Sequence, residues 1–414
     1  MKITPVKGTN DYLPAQAELR AGLQNKICET YENCGFQRIF TPILEDIENL
    51  DKSEGGENLN LIFKVMKRGE KLRKAIEEGG ENQIADMGLR YDLTLPLSRY
   101  YANNKASLPT PFKVIQIDKV YRAERPQKGR LREFIQCDID ILGSSSSDCE
   151  IELIHTTAKA LLNIGIHNFK IKINDKRVLK DILQSVGFRE EELDSVCITF
   201  DKLNKIKAEG VERELAEKGF DAAVIAEFMK LIQNAPFTLD YVRSISSSGE
   251  YIDSLAGIIE TSNRLSGGKY EVEYDMTLVR GQGYYTGTVF EIESLDFNSS
   301  IAGGGRYDNL IGKFGKEQVP AVGFSIGFER IFSILSERKE ALEDRPKKIA
   351  LLYESGQVEE AIGKAEDLRK EYVTALYEKP KKLGKFLNRL EEQGYAGFQV
   401  LGKDEDVRFF SMDF

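Results

Sequence analysis

The β-rich pattern of this chain breaks off near residue 175 and returns after residue 262, so its main folding unit is not one continuous stretch. Before the break, helix-periodic segments such as 16–34 alternate with the β-rich runs PFKVIQIDKVYRAE (111–124) and REFIQCDIDILG (132–143). Between 176 and 262 the chain is charged and helix-periodic: RVLKDILQSVG, ERELAEKG and VIAEFMKLIQ carry apolar residues at three- and four-residue spacing. The β pattern resumes in YEVEYDMTLVRG, YYTGTVFEIESL and AVGFSIGFERIFSIL. The expected organisation is a discontinuous core, 1–175 with 263–335, interrupted by a helical insertion, 176–262. After Glu340 a polar link leads to KIALLYE, VEEAIGKAEDLRKE, YVTALYEK, KLGKFLNRLEEQG and GFQVLG, an alternation that predicts a small α/β unit on a parallel-rich sheet over 345–414. The fold class is α+β, and 414 residues accommodate two or three such units.

Composition narrows the chemistry. A net charge of −9 argues against coating nucleic acid through overall positive charge, although ERPQKGRLR (124–132), KVMKRGEKLRK (64–74) and RPKKI (345–349) offer local basic paths. The five cysteines are scattered, odd in number and free of C-x-x-C spacing, which speaks against a disulfide framework or a zinc site. With His155 and His167 the only histidines, a histidine-based triad or metal cluster has little support, and no metal-ligating set is expected. No segment approaches the ~20 apolar residues of a membrane helix and the N-terminus does not read as a signal peptide, so a cytoplasmic protein is expected.

The most informative stretch is VYRAERPQKGRLREFIQCDIDILG (120–143), two β-like runs joined by a basic loop. Alternation sends Arg122 and Glu124 to one face, and an antiparallel return would bring Gln136 and Asp140 to that same face. A planar, permanently charged Arg on a rigid strand suits a phosphate. An exposed hairpin with salt-bridged charges would carry the same pattern.

Further segments decide between these readings. The hairpin resembles motif 2 of class II aminoacyl-tRNA synthetases, GFQRIFTPILE (35–45) is similar to motif 1 with Pro42 at the position of its proline, and AVGFSIGFERI (321–331) is similar to motif 3 with Arg330 at its arginine. LVRGQGYYTGTVFE (278–291) and AGGGRYDNL (302–310) resemble the two signatures of the histidyl branch, and LRYDLTLPLSRYY (89–101) belongs to the same set. The resemblance implies a class II antiparallel sheet flanked by helices, ATP with Mg2+ as cofactors, L-histidine and a histidine-specific tRNA as partners, and a homodimer formed through motif 1. It also implies roles. Arg122 would hold the α-phosphate, Phe134 stack on adenine and Arg330 cover the nucleotide, with Glu124 and Arg130 also on ATP. Arg280 would bridge the histidine carboxylate and the α-phosphate. Asp92 and Gln136 would take the substrate ammonium with Leu93 and Thr94 nearby, and Asp140, Tyr284 and Tyr285 would grip the imidazole.

The implied chemistry needs no enzyme nucleophile, because the substrate carboxylate attacks the α-phosphorus and the protein has only to orient it and stabilise charge. This accounts for an ATP enzyme without a P-loop. The chain departs from the pattern in two places: Gln282 and Gly283 stand where the family commonly has an apolar residue and an acid, and the C-terminal unit is shorter than the family's anticodon-binding domain. Two alternatives follow, a histidine-sensing regulatory subunit of ATP phosphoribosyltransferase, and a ligase that charges another acceptor.

Overall fold

The computed structural model describes residues 3–52, 60–79, 84–127, 130–233, 237–279, 283–315, 317–338 and 346–410. It divides into two compact units: Leu23–Glu337 with the N-terminal residues up to Asp11, and Tyr12–Gly22 with the chain from Arg338 onward. The first turns of the N-terminal helix Pro14–Asn33 thus group with the C-terminal unit, an association that the pattern of the sequence does not announce.

The first unit contains eleven described strands: β1 (Gln37–Arg38), β2 (Leu44–Asp46), β3 (Phe63–Met66), β4 (Ala85–Leu89), β5 (Phe112–Tyr121), β6 (Glu133–Leu142), β7 (Phe169–Asp175), β8 (Glu271–Tyr274), β9 (Thr288–Ser294), β10 (Ser299–Arg306) and β11 (Ala321–Gly327). Eight of them form one sheet in the order β1-β5-β6-β11-β10-β9-β7-β8, and β2-β4-β3 form a small second sheet. The six central strands pair antiparallel, while each edge closes with a parallel pair, β1 on β5 and β8 on β7. Strands from both sides of the interruption therefore lie side by side, β6 against β11.

Period-two alternation gives this sheet two different faces. Ile135, Cys137, Ile139 and Ile141 of β6 and Phe324 and Ile326 of β11 are buried, and Phe290 of β9 meets Phe324 with ring centroids 4.7 Å apart. The helix Asp148–Asn163 packs against β6 and β11, and the helix Gly249–Ser266 packs on that helix. The opposite face carries Phe134, Gln136, Asp138 and Asp140 in a row. An antiparallel sheet commonly buries one face and leaves the other for solvent or ligand.

The insertion is helical, beginning at Lys176 directly after β7, but its final helix runs on to Ser266, four residues beyond the expected boundary. Asp175 accepts from the amide of Arg177 at 2.8 Å and so caps the first of these helices. Of the stretch AVGFSIGFERIFSIL only Ala321–Gly327 is strand; Phe328–Arg338 is helix, as the three- and four-residue spacing of Phe328, Ile331, Phe332 and Leu335 requires. The C-terminal unit has β12 (Lys348–Tyr353), β13 (Val373–Glu378), β14 (Gly397–Val400) and β15 (Arg408–Phe409) in the order β13-β12-β14-β15, the first three parallel. Helices Val358–Leu368 and Leu383–Glu392 connect them, as the alternation predicted.

A buried ion pair ties β10 to the helical layer. Arg306 grips Glu150 through two parallel bonds, Nε to Oε1 at 2.7 Å and Nη2 to Oε2 at 2.6 Å, and also reaches the carbonyls of Ser144 and Ser146. Removing one partner leaves the other charge buried and unmatched. Glu150→Ala should therefore lower the stability of the first unit by about 3–5 kcal/mol, read as a fall in the urea midpoint.

Candidate active site

The polar face of the sheet is the floor of a cleft of ≈ 800 Å³. Gln136, Asp138 and Asp140 of β6 lie directly opposite Gly327, Ser325 and Gly323 of β11, so a row of polar side chains faces a row of small residues. Gly303 and Gly305 of β10 continue the small strip, paired with Ser325 and Gly323. Room is scarce there. A Cβ on Gly323 would fall 1.9 Å from Asp140 Oδ1, and one on Gly305 would come within 2.8 Å of the Tyr285 ring. These glycines are set by the close approach of carboxylate, ring and backbone.

One end of the cleft is cationic. Arg122 lies one residue beyond the end of β5, where its amide still bonds Arg132, and its guanidinium sits 4.9 Å from the centre of the Phe134 ring. Its Nε donates to the carbonyl of Tyr91 at 3.1 Å, which leaves the fork directed along the cleft wall. Glu124 and Arg130 pair at 3.5 Å and line the same end, and Arg330 reaches in from the helix that follows β11, one Nη1 on the carbonyl of Ser300. Arg280 and Gln282 lie outside the described residues; Gly283 is exposed in a turn.

The other end is rich in acceptors. Asp92 and Thr94 stand at the start of the helix Thr94–Asn104, where the Asp92 carboxylate accepts from the amide of Leu95 at 3.2 Å. Asp140 accepts a 2.6 Å hydrogen bond from Tyr307, and Tyr284 donates to Thr94 Oγ1 at 3.4 Å. Tyr284 meets Tyr285 edge-on at 5.0 Å and Tyr307 at 6.0 Å, so three aromatic rings form a box of which one, Tyr307, bonds the Asp140 carboxylate. Burial raises the Asp92 carboxyl to about 6 and the Asp140 carboxyl to about 7. Burial, with the neighbouring Asp140 charge, also pushes Asp138 well above the usual carboxylate range.

The segment before that helix is held by a second buried arginine. Arg90 bonds the carbonyls of Thr41 at 2.7 Å and Lys119 at 2.9 Å and pairs with Asp118 at 2.7 Å, linking the stretch around Pro42 to β5. Gln116 completes the link, accepting from Thr41 Oγ1 and donating to the carbonyl of Leu93 at 3.0 Å. Leu93 itself is fully buried and does not line the cleft. Its carbonyl is taken by Gln116, so it fixes the backbone on which Asp92 and Thr94 are presented.

Every other expected site residue among the described ones lines this single cleft. Sequence reasoning passed over Asp138, Ser325, Tyr307 and Glu291, all of which also line it. The signal for Asp138 was present, since two residues from both Gln136 and Asp140 on a strand means the same face. For Tyr307 nothing local reveals that it reaches Asp140.

The relatives of this chain agree with the geometry. The family model described as histidyl-tRNA synthetase matches residues 8–331, most of the chain. The chain belongs to the histidyl-tRNA synthetase family. A histidine–tRNA ligase of Leifsonia xyli subsp. xyli is 39% identical over 421 residues, covering 97% of this chain and 96% of that protein. One from Cytophaga hutchinsonii is 34% identical over 418 residues, covering 96% and 92%. The crystal structure of histidyl-tRNA synthetase from a Nostoc species superposes with a TM-score of 0.78 at 26% identity, covering 96% of this chain and 91% of that one. A Bacillus halodurans protein described as an ATP phosphoribosyltransferase regulatory subunit/histidyl-tRNA synthetase shares the fold, with a TM-score of 0.77 at 21% identity and 97% of each chain covered.

Two substitutions test the acceptor end. Gly323→Ala should displace the Asp140 carboxylate and raise the KM for histidine roughly 10–200-fold, the range that one methylene-sized misfit costs in a pocket, with the KM for ATP little changed. Asp140→Asn tests the burial. Because the folded carboxyl titrates near 7 rather than at its ordinary value, its contribution to stability is complete at low pH and is lost as pH rises through 7. Without ligand, Asp140→Asn should therefore melt higher than the parent at pH 8, with the difference shrinking as pH falls below 7 and vanishing only below the ordinary aspartate value of 3.8, while losing its response to histidine.

Proposed function

We propose that this chain is an ATP-dependent histidine–tRNA ligase that forms histidyl adenylate and passes the histidyl group to tRNA. One observation carries the reading: a single cleft places a guanidinium stacked on an aromatic ring, Arg122 on Phe134, at one end and a row of buried acceptors with an aromatic box at the other. A nucleotide phosphate and a cationic amino acid with a small ring fit those ends side by side.

In the first step a carboxylate oxygen of histidine attacks the α-phosphorus of ATP, and pyrophosphate leaves. Arg122 and Arg330 stabilise the charge on phosphate, Phe134 takes the adenine face, and Glu124 and Arg130 hold the nucleotide's flank. Asp92, Gln136 and Thr94 seat the ammonium, and Asp140 with Tyr284 and Tyr285 takes the imidazole N–H. Arg280 is assigned to the bridge between the two reacting groups by resemblance alone. In the second step a terminal ribose hydroxyl of the tRNA attacks the activated carbonyl, and AMP leaves.

Mg2+ is the expected companion of ATP. Such an ion would be bound chiefly through the nucleotide's phosphates. Glu124 and Glu291 line the cleft and could each supply a carboxylate oxygen, and the ion would neutralise the pyrophosphate leaving group.

Assembly follows the same reading. Phe40, Ile43 and Leu44 flank Pro42 and are exposed, with Met87 exposed on the paired β4, an apolar strip suited to a second copy of this chain across a two-fold axis. Among the described residues no helix is long and apolar enough to cross a membrane, and the cytoplasm, where tRNA is charged, is the expected location.

The C-terminal unit is proposed to meet RNA phosphates through the exposed Lys381, Lys382 and Lys385. The deciding experiment is histidine-dependent exchange of pyrophosphate into ATP beside tRNA charging. The parent should do both; absence of exchange at every histidine concentration in folded protein would support the sensing alternative instead. Changing those three lysines to Glu should leave exchange intact, cut charging severalfold and flatten its salt dependence.

A further inference from the structure

Asp138 is the one member of the polar row on β6 to which the ligase reading gives no task. It lies between Gln136 and Asp140 on the cleft face, is nearly fully buried, and stands directly opposite Ser325. Its other neighbour across the sheet, Gln116, is already committed on both ends of its amide, to Thr41 and to Leu93. Asp140 in turn is occupied by Tyr307.

What remains facing Asp138 is the side-chain amide of Gln136. That NH2 group lies 3.4 and 3.5 Å from the two Asp138 oxygens and 3.3 Å from Ser325 Oγ. A hydroxyl that accepts from Gln136 still has its own proton to give to Asp138, so the three groups close a consistent ring of donors and acceptors. The consequence falls on the other end of the amide. Gln136 Oε1 is buried with no hydrogen-bond partner, as is Asp92 Oδ2. Two unmatched buried acceptors lining one cleft amount to a seat for a group that brings only N–H donors.

An amide can present either its oxygen or its nitrogen to a ligand, and the two choices differ only by a flip about its last torsion. Turned the other way, Gln136 would set its NH2 against an ammonium and its oxygen against the Asp138 carboxylate. We propose that Asp138, with Ser325, is a positioning residue for the amino-acid site: it holds the nitrogen of Gln136 and thereby commits the oxygen to the substrate ammonium. The inference rests on the ligase reading for the identity of the substrate, and it concerns only how one end of that substrate is chosen. It makes the pocket select for a protonated amine next to the imidazole-bearing chain, separately from recognition of the ring by Asp140.

The test separates ligands that carry the amine from one that lacks it. Histidine, histidinol and 3-(imidazol-4-yl)propanoate are titrated by calorimetry into the full-length parent, Asp138→Ala, Asp138→Asn, Gln136→Ala and the double variant Gln136→Ala with Asp138→Ala. In Asp138→Ala the affinity for histidine and histidinol should fall about tenfold or more, as expected when one buried hydrogen-bonding group loses its match, while that for the propanoate changes less than about twofold. Asp138→Asn, which keeps an acceptor oxygen, should recover part of the loss. In pyrophosphate exchange the KM for histidine should rise while kcat and the KM for ATP stay near the parent's. Once Gln136 is gone, removing Asp138 should have no further effect on amine selectivity. Equal weakening of all three ligands would make Asp138 merely structural, and additive losses in the double variant would mean that it touches the ammonium itself; either overturns the proposal. If the parent bound no histidine, the ligase reading would fall instead.

Discussion

Three carboxylates held out of water, Asp92, Asp138 and Asp140, are the constraint around which the first unit is arranged. An ionised carboxylate in a dry site is unfavourable unless donors surround it. The fold supplies fewer donors than these groups could use: the Leu95 amide for Asp92, the Tyr307 phenol for Asp140, and the Gln136 amide with the Ser325 hydroxyl for Asp138. The raised titration of all three records the shortfall. On the proposed reading, a ligand that arrives with an ammonium and an imidazole N–H would complete them, so that ligand binding and relief of that burial would be the same event. Opposite Asp140 the strand carries Gly323, where a Cβ would fall 1.9 Å from the carboxylate and displace it.

The arginines divide along the same line. Arg90 and Arg306 are buried, each making several bonds to backbone and an ion pair with a carboxylate, and they set the positions of the Asp92 segment and of β10. Arg122 sits at the cleft, half-buried, with only part of its donor set on the protein. Sequence alone does not separate the two kinds, since all stand in or beside strands next to aromatic and acidic residues.

Much of the core was nonetheless legible. The interruption after β7, the hairpin of β5 and β6 and the alternation of the C-terminal unit follow from local periodicity, which depends on near neighbours. The row Phe134, Gln136, Asp140 could be placed on one face for the same reason. What escaped was set by distant chain: Leu93 looked like a site residue until Gln116 claimed its carbonyl, and Tyr307 meets Asp140 only because β10, β11 and β6 assemble in that order. The grouping of Tyr12–Gly22 with the C-terminal unit is of the same non-local kind.

The pairing of β6 with β11 has a consequence for how the chain is made. When the ribosome has released β6, the strand that will cover its open edge has not been synthesised, for the insertion and the four strands β7 to β10 lie between Leu142 and Ala321. At ~5–20 residues per second that interval lasts roughly ten to forty seconds. Throughout it the edge bearing Cys137, Ile139 and Ile141 is an unfinished β-surface, able to pair with any other nascent chain nearby. The polar row on the same strand has a use at that stage: Gln136, Asp138 and Asp140 make one face of that waiting edge a poor template for aggregation, long before the cleft that they line exists.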